Sequence, residues 1–325
     1  MKVVRGLLIF AAALSLAWGS MAGASADYPS RPITLVVPFP AGGSPDAYAR
    51  IMAEGMAERL GTPLVVEARP GAGSSLGTQH VARSQADGYT LMLATLSFVT
   101  SPLLYSSASW DAAGDFDGIA EIATAPSVAV VPAAFPANTL QEFVDYAKKR
   151  PGEVNYLMPG RGTSMHLNSE LLRLVADLDM VAVPYQGVPP GLPDLMSGRL
   201  SMTMSPMSLV GPHIKTGALK ALAVAAPQRL KELPDIPTFA EAGFSDAEVV
   251  SWYTIVAPAG TPRDVVAKLN RAANDTLQDP KVVQKLVNIG GIVSKPKTPQ
   301  EVDDLLASEA KRWRELFPKM NIKAE

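Results

Sequence analysis

The chain has 325 residues, 47% hydrophobic and 18% charged, with 29 Lys and Arg against 31 Asp and Glu. That composition is globular and long enough for two domains, and a formal charge of −2 leaves no electrostatic footprint for nucleic acid. The absence of Cys excludes disulfide scaffolds, thiolate metal sites, iron–sulfur clusters and cysteine nucleophiles.

Lys2 and Arg5 open the chain, an apolar run from Gly6 to Gly19 follows, and small residues end at Ala24-Ser25-Ala26. Basic start, apolar stretch and A-x-A site in that order describe a secretory signal peptide over residues 1–26. The run is shorter than the ~20 residues a membrane span needs. With no Cys at the cut, no lipid anchor is expected. The expected product is exported and periplasmic.

Beyond the leader, strands and helices alternate. Ile33–Val37 is a continuous β-branched and apolar run, which predicts a strand buried on both faces. Ser44-Pro45-Asp46 supplies a capping residue, a proline in the first turn and an acid, and the helix they open runs to Leu60 with Gly61 as its stop. Leu64–Glu67 and Tyr89–Thr95 read as the next strands. Thr139 and Glu142 form a capping box, Val154–Met158 reads as a strand and Ser164–Val175 as a helix. Three further strands are expected at Val181–Pro184, Leu200–Ser205 and Leu219–Ala225, and Thr261-Pro262 and Thr298-Pro299 open two long helices. The alternation predicts an α/β fold with largely parallel sheets.

In open α/β sheets ligands sit beyond the carboxyl ends of the strands. Three glycine-bearing loops fall at such places: Ala41-Gly42-Gly43-Ser44, Pro70-Gly71-Ala72-Gly73-Ser74-Ser75 and Pro159-Gly160-Arg161-Gly162-Thr163-Ser164. Any one of them is ordinary turn and cap chemistry. Three in one chain favour an anion held by backbone N–H groups, because glycine admits close approach and a helix start has free donors. Thr95 and Ser205, at the ends of two predicted strands, join the candidate set.

Two other readings compete. Gly73-Ser74-Ser75-Leu76-Gly77 matches G-x-S-x-G, which would make Ser75 the nucleophile of a secreted serine hydrolase. Arg69-Pro70-Gly71-Ala72 separates the motif from its strand, however, and no His follows His213 to complete a triad in the usual order. His80, His166 and His213 lack metal-ligand spacing, so no metal or cofactor is expected. His166, two residues beyond Ser164, either reaches a ligand or braces its loop.

Read in order, VPFPAGGSPDAYAR (37–50), RPGAGSSLG (69–77), ADGYTLML (86–93), GRGTSMHLNSELL (160–172), VPYQGVPPGLPDLMSGRL (183–200), LPDIPTFAEAGF (233–244) and SWYTIVAPAGTP (251–262) resemble the TctC or Bug family of periplasmic solute-binding proteins. The resemblance covers nearly all of the chain after the leader. It implies a type II, two-lobed fold with a mixed, largely parallel sheet in each lobe. One lobe would take residues 27–127 and 253–325, the other 128–252, with Val128–Pro132 and Trp252–Pro258 as segments crossing between them. It implies a non-enzymatic, monomeric receptor that delivers a small organic carboxylate to the membrane subunits of a tripartite tricarboxylate transporter. A receptor presenting its ligand to a membrane sensor kinase is the alternative. The ligand-binding residues it implies are Gly42, Gly43, Ser44, Asp46, Gly73 and Ser74 on one lobe, and Gly160, Gly162, Thr163, Ser164, Tyr185, Gln186 and Gly187 on the other.

Departures from the family bear on the ligand. Ser201 stands where many relatives have an acid, and Thr254 where they have Gly. Arg161 is placed to pair with a distal carboxylate or to face solvent. Seven of the 13 Met fall between Met158 and Met207, which favours a ligand with an apolar, even aromatic, body.

Overall fold

A computed structural model describes residues 28–320 and 322, so the expected leader lies outside the described residues. Among the described residues, no helix is long and apolar enough to cross a membrane.

The chain builds two sheets. Strands β1 (Ile33–Val37), β2 (Leu64–Ala68), β3 (Thr90–Thr95), β4 (Phe116–Ala125), β10 (Ser251–Pro258) and β11 (Ile292–Val293) form the first, in the order β11-β4-β10-β3-β1-β2. Strands β5 (Ser127–Pro132), β8 (Thr203–Pro206) and β9 (Leu219–Ala225) form a second, in the order β8-β5-β9. The parallel pair β6 (Val154–Met158) and β7 (Met180–Pro184) joins it through a Tyr156–Met202 bridge and the Leu157 amide, which donates to the Met202 carbonyl at 3.0 Å.

In the first sheet β1 to β4 point one way and β10 and β11 run against them, and in the second β5 runs against its neighbours. β1 is parallel to β2 and β3, whereas β10 is antiparallel to β3 and β4. Likewise β5 is antiparallel to β8 and β9. A strand arriving straight from the neighbouring sheet needs no crossover helix, so nothing obliges it to run parallel. Val128–Pro132 and Trp252–Pro258, expected as crossing segments, lie inside β5 and β10. The chain leaves the first sheet through Pro126, between β4 and β5. On the way back, Asn168 holds the Val249 amide and carbonyl with its own side-chain amide, both at 2.8 Å, just before β10 begins.

Helices cover both faces. Ile33, Leu35 and Val37 pack with helices α1 (Ser44–Leu60), α8 (Arg263–Leu277) and α9 (Pro280–Asn288). Val36, from the same strand, packs on the opposite side with α2 (Ser75–Ala82), α3 (Leu96–Leu104) and α10 (Pro299–Leu316). The expected two-sided burial of this run is therefore observed. In the second lobe Val128 and Val130 face α6 (Leu192–Met196) and α7 (Met207–Lys215). Ala129 and Val131 face α4 (Leu140–Lys148) and α5 (Ser164–Val175), in an apolar cluster continuous with that of α3 and α10.

Candidate functional site

A cavity of about 350 Å³ opens where the two sheets meet. Its first-lobe wall is Phe39, just past β1, with Thr95 and Ala125 at the carboxyl ends of β3 and β4 and Ser251 and Tyr253 at the start of β10. Register fixes this wall: Tyr253 pairs with Thr95, and Ser251 with Ala125. Ser127 and Pro206, paired across β5 and β8, begin the opposite wall, which Met165, Pro189 and Leu209 extend. The site thus occupies the position that an open α/β sheet offers a ligand.

Three helices start at this cavity. Gly43 caps α1 and Thr95 caps α3, and neither cap makes a side-chain hydrogen bond to its helix. Helix-start N–H groups without such caps, at the positive end of the helix dipole, favour an anion. On the second lobe Thr163 caps α5, its Oγ1 accepting from the His166 amide at 3.4 Å and donating to the Gly160 carbonyl at 2.8 Å. The lining residues include no Lys, Arg, His, Asp or Glu. Hydroxyls of Ser44, Thr95, Ser97, Ser127, Thr163, Ser164 and Ser251 supply the polar side chains around an otherwise apolar surface.

Charged residues brace the site from outside. Asp46, 4% exposed, accepts the Gly42 amide at 3.0 Å and Arg50 Nε at 2.9 Å through one oxygen. The hydrogen bond from Arg50 holds its carboxyl below the usual range, against the opposing effect of burial. Gly42 therefore spends its amide on Asp46 and adopts a φ of 82°, which a glycine accepts without strain. His166 Nδ1 accepts the Gly162 amide at 3.1 Å, and burial pushes the imidazole down to about 4. His166 thus binds its own loop and lies outside the cavity lining. Tyr253 stacks on Tyr48 with ring centroids 4.0 Å apart, and burial raises both hydroxyls well above the ordinary phenol range.

Of the expected residues, the structure brings Gly42, Gly43, Ser44, Thr95, Thr163 and Ser164 together at the cavity. Arg161, Gly160, Gly162, Tyr185, Gln186, Gly187, Gly73, Ser74 and Ser205 lie outside its lining. The Tyr185 hydroxyl is 2.6 Å from Asp194, and the Gly187 amide donates to the Pro159 carbonyl at 3.1 Å. Gly73 lies against the Tyr105 ring, where a Cβ would overlap it, and its carbonyl accepts from Ser101 Oγ at 2.7 Å. Ser74 and Ser205 are buried with no partner for their hydroxyls among the described residues. Ser201 ties β6 to the segment before β8, its amide donating to Asn155 Oδ1 at 2.8 Å. Of the Met cluster, Met165 reaches the cavity while Met202 and Met204 are core residues. Phe39, Pro189, Leu209 and Tyr253 were not singled out by sequence; only proximity to a strand end marked them.

Ser75 does not carry a hydrolase. It is 1% exposed, its Oγ has no hydrogen-bond partner among the described residues, and it follows a one-turn helix at Ala72–Ser74 instead of coming straight off a strand.

Comparison with known proteins agrees with this geometry. Residues 48–322 match the family model for the tripartite tricarboxylate transporter family receptor, TctC. The chain is 33% identical to the periplasmic binding protein BugD over 92% of its own length and 100% of that chain, with a TM-score of 0.79. It is 32% identical to Rpa4515 of R. palustris, solved with adipate, over 92% of this chain and all of that one, at a TM-score of 0.81. MatC of Rhodopseudomonas palustris, solved with bound malate, is 31% identical over 89% of this chain and 99% of that one, at 0.78. These relatives are binding receptors, which hold a ligand without transforming it. With the cavity at the strand ends, the fold and these matches agree: the chain belongs to the TctC, or Bug, family of periplasmic solute-binding receptors.

Proposed function

We propose that this protein captures a small organic mono- or dicarboxylate with an apolar body between its lobes and delivers it to the membrane subunits of a tripartite tricarboxylate transporter. One observation carries the reading: the starts of α1, α3 and α5 meet at one cavity whose lining holds no cation. A desolvated carboxylate needs several donors, and fixed amides and hydroxyls supply them with little ordering cost. The volume lies within the ~300–1,000 Å³ usual for small-molecule sites. The adipate and malate of the two R. palustris neighbours are both small dicarboxylates, and adipate has an apolar body. Gly43, Ser44, Thr95 and Ser164 are the residues assigned to the carboxylate, with Thr163 holding their loop through the Gly160 carbonyl, and Phe39, Met165, Leu209 and Tyr253 to the ligand body.

In this reading residues 1–26 direct export and are removed, leaving a freely diffusing monomer. One lobe takes residues 27–127 and 253–325 and the other 128–252, with the pivots beside Pro126 and Val250. Calorimetry with adipate, malate, aromatic dicarboxylates, nicotinate and citrate tests the ligand class. Binding of a carboxylate with an apolar body is the expected result; binding of citrate or amino acids alone contradicts it.

A further inference from the structure

Gly162 sits on the second lobe yet has every side committed. Its amide donates to His166 Nδ1 at 3.1 Å, and its carbonyl accepts from Thr100 Oγ1, on α3 of the first lobe, at 3.2 Å, sharing that hydroxyl's one hydrogen with the Leu96 carbonyl at the same distance. Its Cα faces Leu104, also on α3, so closely that a Cβ would overlap Leu104 Cδ1. Its φ of 76° is one that L side chains adopt rarely. Thr100 is fully buried and His166 is 4% exposed, so this contact is sealed from water. Beside it, Thr163 and Ser164 project from the same loop into the cavity.

We propose that Gly162 is the contact by which the second lobe locks onto α3, and that His166 is the positioning residue which presents its carbonyl to Thr100. The inference deepens the proposed function, since locking these loops together is what holds Thr163 and Ser164 opposite the starts of α1 and α3. Glycine is required for two reasons that act together, the left-handed backbone and the absence of space. His166 fixes the peptide orientation because a neutral imidazole offers Nδ1 as an acceptor. An acceptor lost here frees the peptide to turn, and a hydrogen bond of ordinary net strength corresponds to about a fivefold change in the population of the locked state.

The chain has no Cys of its own, so a spin-label pair at Ala41→Cys and Pro190→Cys reports on lobe separation. Both positions are exposed and adjoin cavity residues on opposite walls, Gly42 and Pro189. Distance distributions would be compared for the labelled parent, His166→Asn, His166→Leu, Gly162→Ala and Gly162→Ala with Leu104→Ala, each without ligand and with adipate, after circular dichroism shows them folded. In the ligand-free protein, the short-distance population should fall about fivefold in His166→Leu and Gly162→Ala. It should persist in His166→Asn, whose carbonyl replaces the acceptor, and recover in the double variant, where space is restored. Folded His166→Leu and Gly162→Ala proteins with the parent's distribution would overturn the lock. Failure of adipate and other carboxylates to bind the parent would instead count against the proposed ligand class, leaving the ligand-free comparison to decide the lock.

Discussion

His166 is 4% exposed, and its acceptor role toward Gly162 requires the neutral imidazole. Burial depresses its pKa from 6.5 to about 4; the nearby Glu170 carboxylate opposes the shift, and Arg161 and Arg173 add to it. Because the unfolded chain takes up a proton that the folded one refuses, stability is full above pH 6.5 and declines as pH falls toward 4. Between pH 7 and pH 4.5 the wild type should lose about 2–3 kcal/mol more than His166→Asn in urea unfolding, by the linkage of a pKa to stability. Equal losses would mean that the imidazole is solvated. The loop grammar of Gly160–Ser164 was legible in sequence because capping is local, and its last two residues, Thr163 and Ser164, line the cavity. What His166 does was not legible, since its partner depends on how the loop folds back. The glycine loop at Gly73, read from the same local signals, packs against Tyr105 and lies outside the cavity lining, a placement that depends on tertiary contacts.

Elements whose ends carry caps were the most readable. Thr298 accepts the Glu301 amide while Glu301 accepts the Thr298 amide, as the Thr-x-x-Glu spacing of α10 anticipates. The strand β4 was missed because Asp117, Gly118, Glu121 and Thr124 interrupt its apolar pattern. Each interruption but Thr124 has a tertiary partner: Asp117 accepts the Thr261 amide, Glu121 pairs with Lys297, and Gly118 lies against Val302. Helix α3 was missed because it is buried almost all round, which erases the amphipathic stripe. Gly55, in the middle of α1, is a local conflict with helix propensity that packing explains, since a Cβ there would overlap Thr276 Cγ2 on α8. Gly55→Ala should therefore lower the unfolding midpoint even though alanine favours a helix by about 1 kcal/mol. Thr276→Ser, which removes that methyl, should recover most of the loss; a stabilised Gly55→Ala protein would show that the helices can spread apart.

At the scale of the whole molecule, the chain passes between the sheets twice, directly from β4 to β5 and back through the long connection that ends at β10. Each passage starts or ends at the cavity, through Ala125 and Ser127 on one side and Ser251 on the other. Any rotation of the lobes about these passages therefore acts directly on the site. The alternation of strands and helices disclosed the α/β class; it could not disclose the discontinuous sheets, because pairing of β10 with β3 and β4 joins residues far apart in sequence. Nor could it show that the cavity lining excludes cations, a property of which loops converge. In the proposed function, fixed helix-start donors, and no cation, hold a carboxylate in this cleft. The most direct measurement is the thermal shift of the mature protein with matched carboxylic acids and their neutral amides, adipate and adipamide first. At least one carboxylate should raise the unfolding temperature with concentration while its amide, lacking the charge the helix starts favour, does not. Equal stabilisation by acid and amide would contradict it.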